Sequence, residues 1–208
     1  MPRAWGEPTG AAKAHGSVDA DTDEALMLAY AAGNASAFDR LYARHKGALY
    51  RYVLRHCANA GVADELFQDI WMNVIRVRAS YVPTARFGSW LFTLAHHRIV
   101  DHWRASGQAT MVMLDDDDDA ITSNALVSPS HDQPDARAAA SEASARVRAA
   151  LAALPPLQRD AFLLHQEGGL TLAEIGQMTG VGVETVKSRV RYAMARLRAA
   201  FPELGEHV

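Results

Sequence analysis

Between residues 183 and 198 stand five cations, Lys187, Arg189, Arg191, Arg196 and Arg198, against a single acid, Glu184. In the same stretch Val183, Val186, Val190, Met194 and Leu197 recur in steps of three and four, which predicts a helix with one core-facing stripe. Glu184, Thr185, Lys187, Ser188, Arg189 and Arg191 then fall on the opposite side or the flanks. Those types suit nucleic acid: Arg can bond a guanine edge bidentately, while Ser, Thr and Lys anchor to the backbone. A shorter apolar stripe, Leu172, Ile175 and Met178, comes before it and ends at Gly180, which tolerates the positive-φ turn between two helices. Thr171, with Glu174 three residues on, is a capping-box signature for the start of that first helix. Helix, four-residue turn and helix is the pattern that lays its second helix in a major groove. A solvated charged face on an ordinary helical hairpin is the plainer alternative.

A second constellation lies upstream. A helix expected over Val62 to Arg78 carries Asp64, Glu65, Gln68 and Asp69 near its start and Arg76 and Arg78 at its end. Helix-end electrostatics accounts for those signs. It leaves unexplained why Phe67, Ile70 and Trp71 accompany the acids around so much of the helix, and a basic, partly apolar partner surface would use both. The next helix, roughly Phe87 to Ala105, mixes Phe87, Trp90, Leu91 and Leu94 with Arg98, Arg104 and several histidines. Rings interleaved with cations suit single-stranded nucleic acid, where a ring stacks on a base and Arg holds a phosphate. The spacing of Phe87 and Trp90 also matches core packing.

Two metal readings are weaker. Asp115 to Asp119 could collect magnesium, but they lie where no element is predicted to fix octahedral geometry, so a solvated acidic tether is preferred. His97 and Asp101 share a helix face and lie beside His96 and His102, yet spacing implies no further ligand. Cys57, beside His56, reads as a small buried apolar residue rather than a redox sensor.

These groups must be positioned by helices, because no run alternates with period two for long enough to make a strand. Helical patterning begins near Asp23, with Gly33 as a stop and Ser36 as a candidate cap for a helix running to about Cys57. It lapses from Gly107 to Arg137 and resumes near Ser141, where Val147, Leu151 and Leu154 share a face until Pro155 and Pro156 interrupt it. The expected organisation is all-α: a disordered tail over 1–22, a helical domain over 23–106, a flexible acidic linker over 107–140, a four-helix domain with the helix-turn-helix over 141–201, and a tail over 202–208. The 208 residues, 49% hydrophobic, suffice for one sizeable core or two small ones. Net charge is −3, but it is unevenly spread: residues 26–106 hold ten basic and five acidic residues, and residues 107–140 hold one and seven. Local potential rather than the average decides whether a polyanion is attracted. With no apolar span, no secretory start and one cysteine, a soluble cytoplasmic protein is expected.

Taken together, ADELFQDIW at 63–71, FGSWLFTLAHHRIVDHWR at 87–104 and the segment from Leu151 through the helix-turn-helix resemble the sigma factors of RNA polymerase, specifically the compact extracytoplasmic-function (ECF) group of the sigma-70 family. The resemblance covers about residues 24–105 and 141–200. It implies a non-enzymatic factor without cofactor or metal, whose partners are core RNA polymerase, promoter DNA and an anti-sigma factor. Asp64, Glu65, Gln68 and Asp69, backed by Trp71, would dock on the polymerase clamp helices. Arg86, Trp90, His97, Arg98 and Arg104 would hold the unwound strand at the element near minus ten. Thr171, Glu184, Thr185, Lys187, Ser188, Arg189 and Arg191 would read the element near minus thirty-five. The aspartate run would thread toward the active-site cleft. Gly176 departs from the Ala usual in such a motif, costing roughly 1 kcal/mol of helix propensity, and His96, His97 and His102 replace residues more often Arg or Asn. The competing reading is a stand-alone helix-turn-helix regulator with an effector-sensing N-terminal domain, although the 26–106 segment shows no polar cluster suggestive of a pocket.

Overall fold

The computed structural model describes residues 21–106 and 145–201. The linker expected over 107–140 with its aspartates, the helix start expected near Ser141, the tail over 202–208 and all but the last two residues of the tail over 1–22 lie outside the described residues. Among those described, all regular structure is helical. The first group is α1 (Asp23–Ala31), α2 (Ala35–His56), α3 (Ala60–Val77), a 3-10 turn (Arg78–Ser80) and α4 (Phe87–Ala105). The second is α5 (helical over 145–152), α6 (Pro156–Gln166), α7 (Leu172–Thr179) and α8 (Val183–Ala200).

Local chemistry sets the helix starts. Thr22 caps α1 by accepting from the Ala25 amide, and Asn59 caps α3 by accepting from that of Val62 at 3.0 Å. Ser36 does not cap α2. It sits inside the first turn, and its hydroxyl donates to Asn34 Oδ1 at 2.8 Å, with Asn34 in the capping position. The α4 start takes its acceptor from outside its own segment: the Phe87 amide donates to Glu24 Oε1 of α1 at 2.6 Å, so the loop before α4 is held against α1.

The cores follow the apolar stripes. Leu41, Leu49, Tyr52 and Val53 of α2 meet Leu66, Ile70 and Val74 of α3 and Phe87, Leu91, Phe92, Ile99 and Trp103 of α4, all fully or nearly fully buried. In the second group Leu151, Leu154, Leu163, Leu164, Ile175, Val186 and Ala193 do the same. Each such aliphatic or aromatic side chain contributes about 1.5–3 kcal/mol relative to exposure. Val147, expected on the α5 core face, is 38% exposed. The two groups also touch, and their buried side chains form one continuous cluster.

Candidate nucleic-acid interface

The helix-turn-helix is built as its sequence signals require. Thr171 Oγ1 accepts from the Glu174 amide at 3.2 Å while Glu174 Oε2 accepts from the Thr171 amide at 2.8 Å, which completes the capping box of α7. Gly180 closes that helix at φ 74°, a left-handed conformation that glycine adopts without Cβ strain. Gly176 has a separate reason to lack a side chain. A Cβ there would lie 2.9 Å from the Val181 carbonyl oxygen, so the turn approaches the α7 backbone too closely for alanine.

On α8, Val186 is buried, and Val190, Met194 and Leu197 are partly so, as the stripe predicts. Val183 departs from it: at the first residue of the helix it is 45% exposed, while Ala193 is fully buried. The cationic face opposite is open to solvent. Glu184, Thr185, Lys187 and Arg191 are exposed, and Ser188 and Arg189 are half-buried. Lys187 lies 3.4 Å from Glu184, and the Arg191 guanidinium lies 5.0 Å from the centre of the Tyr192 ring. Both pairs are local and exposed, so they hold the cations only weakly against a phosphate.

On α3, Asp64, Glu65, Gln68 and Asp69 are exposed along one side, and Met72, 55% exposed, extends that face. Tyr50 donates to Asp64 at 2.9 Å, and Arg98 of α4 pairs with Asp69 at 2.8 Å. Trp71 does not share this surface. It is 5% exposed and packs edge-on to Phe38 and against Tyr42, with ring centres 5.6 and 5.0 Å away. Ile70 is buried and Phe67 half-buried as well, so these three serve the core, and of the large apolar residues on α3 it is Met72 that the acidic face presents.

Around α4, Phe87 is fully buried, and Trp90 is half-buried against Tyr81 with ring centres 4.9 Å apart. Burial, with Glu24 and Asp23 nearby, pushes the Tyr81 hydroxyl up to about 12. Arg86, His97 and Arg104 are exposed, with Arg104 lying 3.4 Å from Asp101. His96 and His97 diverge: His96 turns inward, and among the described residues no group of three His, Cys, Asp or Glu side chains is arranged to hold a metal ion. Cys57 is half-buried, and burial pushes its thiol up to about 11, which makes it a poor nucleophile at neutral pH.

Three carboxylates of the second group reach into the first, and sequence reasoning missed all of these contacts. Asp160 of α6 is buried, accepting from Tyr52 at 2.7 Å and lying 2.9 Å from His96 Nδ1 and 3.4 Å from His56 Nε2. Burial alone would raise its carboxyl, but His96 and His56 outweigh that and hold it well below the usual carboxylate range. Glu167 is bonded by Arg51 at 2.7 Å and by Arg55. Glu174, already in the capping box, accepts from Arg86 at 2.8 Å and from Ser89 at 2.6 Å; the Arg86 guanidinium above all brings its carboxyl down to about 2. A signal for one of these was present. Asp160 interrupts the apolar stripe Leu157, Ala161, Leu164, as His56 ends the stripe Leu49, Tyr52, Val53, and a charged residue on a buried stripe needs a partner.

Residues 41–108 match the sigma-70 region 2 family model, and residues 144–197 match that of sigma-70 region 4. The chain is 31% identical over 197 residues to the ECF RNA polymerase sigma factor SigK of Mycolicibacterium vanbaalenii, covering 91% of this chain and 93% of that protein. It is 30% identical over 195 residues to the ECF RNA polymerase sigma factor SigE of Mycolicibacterium smegmatis, covering 93% of this chain and 70% of that one. Among solved structures the fold is similar to CnrH in complex with the cytosolic domain of CnrY, with TM-score 0.63, 24% identity, and coverage of 88% of this chain and 99% of that one. It is also similar to the sigma factor RpoE bound to the anti-sigma factor NepR from Bartonella quintana, with TM-score 0.58, 23% identity, and coverage of 81% and 98%. With both sigma-70 regions in order and 31% identity over nearly the full length of such a relative, the chain belongs to the ECF sigma factors of RNA polymerase.

Proposed function

We propose that the chain docks on core RNA polymerase through the acidic face of α3, holds the unwound strand near minus ten with the loop before α4 and the exposed side of α4, and reads the element near minus thirty-five with α8. The single observation that carries this reading is the α8 face: Thr185, Lys187 and Arg191 lie in solvent opposite a buried stripe, on the second helix of a capped helix-turn-helix. A helix so presented can enter a major groove without disturbing its own core. On α3, Asp64, Glu65, Gln68 and Asp69 offer a negative surface suited to a basic partner. An anti-sigma protein of the kind bound by the structural relatives is the expected inhibitor, and the cytoplasm, where polymerase works, is the expected location. Among the described residues no helix is long and apolar enough to cross a membrane.

Alanine at Arg189 and at Arg191, assayed in holoenzyme against single-base promoter variants at two salt concentrations, tests the assignment. Loss of a base contact should change preference at one position by about 1–3 kcal/mol, whereas loss of a phosphate contact should weaken all promoters and lower the salt slope by about one. If both variants transcribe every promoter as the parent does, α8 is not the reader.

A further inference from the structure

Spacing by three and four gathers a further set of side chains. His96, Val100 and Arg104 share one face of α4, and Val186 and Arg189 share one face of α8. Where these faces meet α6 and α7 they enclose a cavity of about 280 Å³ between the two groups, close to the smallest size that holds a ligand. Its walls are aliphatic, built by Val100, Val186, Leu157 of α6 and Ile175 of α7. Its charged groups are three basic residues, His96, Arg104 and Arg189, and one acid, Asp160. Asp160 is already engaged, accepting from Tyr52 at 2.7 Å and lying 2.9 Å from His96 Nδ1. That leaves His96 Nε2, on a buried ring, with no partner among the described residues. Burial disfavours the His96 imidazolium, but the Asp160 carboxylate outweighs it and the pKa is raised, so Nε2–H serves as a donor. Arg104 meets Asp101 at 3.4 Å, but both side chains are largely in solvent, so the pair yields readily to a better acceptor. The Thr179 hydroxyl, also at the cavity, donates to the Ile175 carbonyl at 2.7 Å and offers a ligand only its lone pairs.

An inorganic anion would leave the aliphatic walls unused, and a neutral apolar molecule would leave the guanidinium groups unused. We propose that the cavity binds a small aromatic carboxylate, its ring between Val100, Leu157, Ile175 and Val186 and its carboxylate held by Arg104 and Arg189, with His96 as a third donor. Arginine suits this role because its planar donors match a carboxylate bidentately. Arg104 and Arg189 come from different groups, so a bound acid ties α4 to α8 and disfavours any arrangement in which they part. Binding is independent of the functional reading above. Control of transcription by such an acid rests on that reading, because it needs the assignment of Arg104 and Arg189 to the two promoter elements.

Isothermal titration calorimetry of the full chain with cinnamate tests binding. A single saturable site is expected, and cinnamyl alcohol, with the same ring and no charge, should bind at least about tenfold more weakly. R104Q and R189Q should each weaken cinnamate by about tenfold, the loss of one charge-assisted hydrogen bond. V100W, which fills the cavity and leaves both cations in place, should abolish binding, while R191Q, on the exposed face of α8, should bind as the parent does. Circular dichroism checks that each variant is folded. Small-angle scattering gives the radius of gyration of the full chain, which should not rise at saturating cinnamate. No saturable binding by the parent, binding by R104Q and R189Q equal to the parent's, or a larger radius overturns the proposal. In run-off transcription with core polymerase, saturating cinnamate should lower initiation by the parent several-fold and spare V100W. Binding intact with transcription unmoved overturns control and places the failure in the DNA assignment of the two arginines.

Discussion

At the scale of single residues, the groups doing most are those that serve two masters. Glu174 completes the α7 capping box and also bonds Arg86 and Ser89, so one carboxylate both starts the helix-turn-helix and ties it to the first domain. Asp160 and its histidines make the tie pH-dependent in a way that can be worked out by sign. For His96, burial lowers basicity, but the Asp160 carboxylate outweighs it and the pKa is raised. Its contribution to docking is full below the ordinary histidine value of about 6.5 and is lost as pH rises through the raised one. For His56, burial wins and the pKa is lowered; its Nδ1 has no hydrogen-bond partner, which also favours the neutral ring. That contribution is present above about 6.5 and is lost as pH falls through the lowered value. Tyr52, Arg159 and Cys57 are the other titratable groups nearby; Tyr52 is held protonated by burial and Asp160, and Arg159 keeps its charge across this range although burial lowers its pKa. The domains should therefore be most firmly closed near neutrality, with the scattering radius rising on both sides. His96→Gln should abolish the alkaline limb and leave the acid limb, and a wild-type radius flat from pH 5 to 9 would contradict this.

At the scale of elements, what was legible in the sequence is what depends on short-range chemistry. Thr171, Glu174 and Gly180 announced the start and end of α7 because a capping box and a positive-φ turn are local, and the spacing from Val186 to Leu197 announced which side of α8 is buried. Trp71 was misplaced because periodicity shows that a helix has apolar residues on several sides but not that α2 supplies rings to cover them. The partners of Asp160 and Glu167 were illegible for the same reason, lying from 64 positions (His96) to 116 positions (Arg51) away in sequence. Gly176 shows the limit most clearly. By helix propensity alone, Ala there should add about 1 kcal/mol, yet the Val181 carbonyl 2.9 Å from the site of a Cβ reverses the sign. Because that obstacle is backbone, Gly176→Ala should lower the stability of the helix-turn-helix domain by about 1–3 kcal/mol. Urea unfolding followed by circular dichroism measures it, and an alanine variant as stable as the parent would mean that the turn can move aside at no cost.

At the scale of the molecule, the described residues are helical and present an acidic face on α3, a surface of rings and cations on α4 and a basic face on α8, each on an element whose other side is buried. The separation of charge makes a molecule of net charge −3 suited to nucleic acid, since α8 and the Arg86 loop are basic while seven of the acids fall within residues 107–140 and three on α3. As an ECF sigma factor the chain works as part of polymerase, giving the core enzyme its choice of promoter. Run-off transcription measures this most directly, using core RNA polymerase, a library of double-stranded promoter fragments, and either the parent chain or a D64K/D69K variant that reverses the α3 face. The account predicts defined transcripts from a subset of the library with core and parent together and none with core alone. It also predicts at least a tenfold loss with the variant, because like charges across an interface cost several kcal/mol. If core polymerase initiates no better with the parent chain than without it, while the chain alone binds duplex promoter fragments tightly, the protein is a free-standing regulator and the claim is wrong.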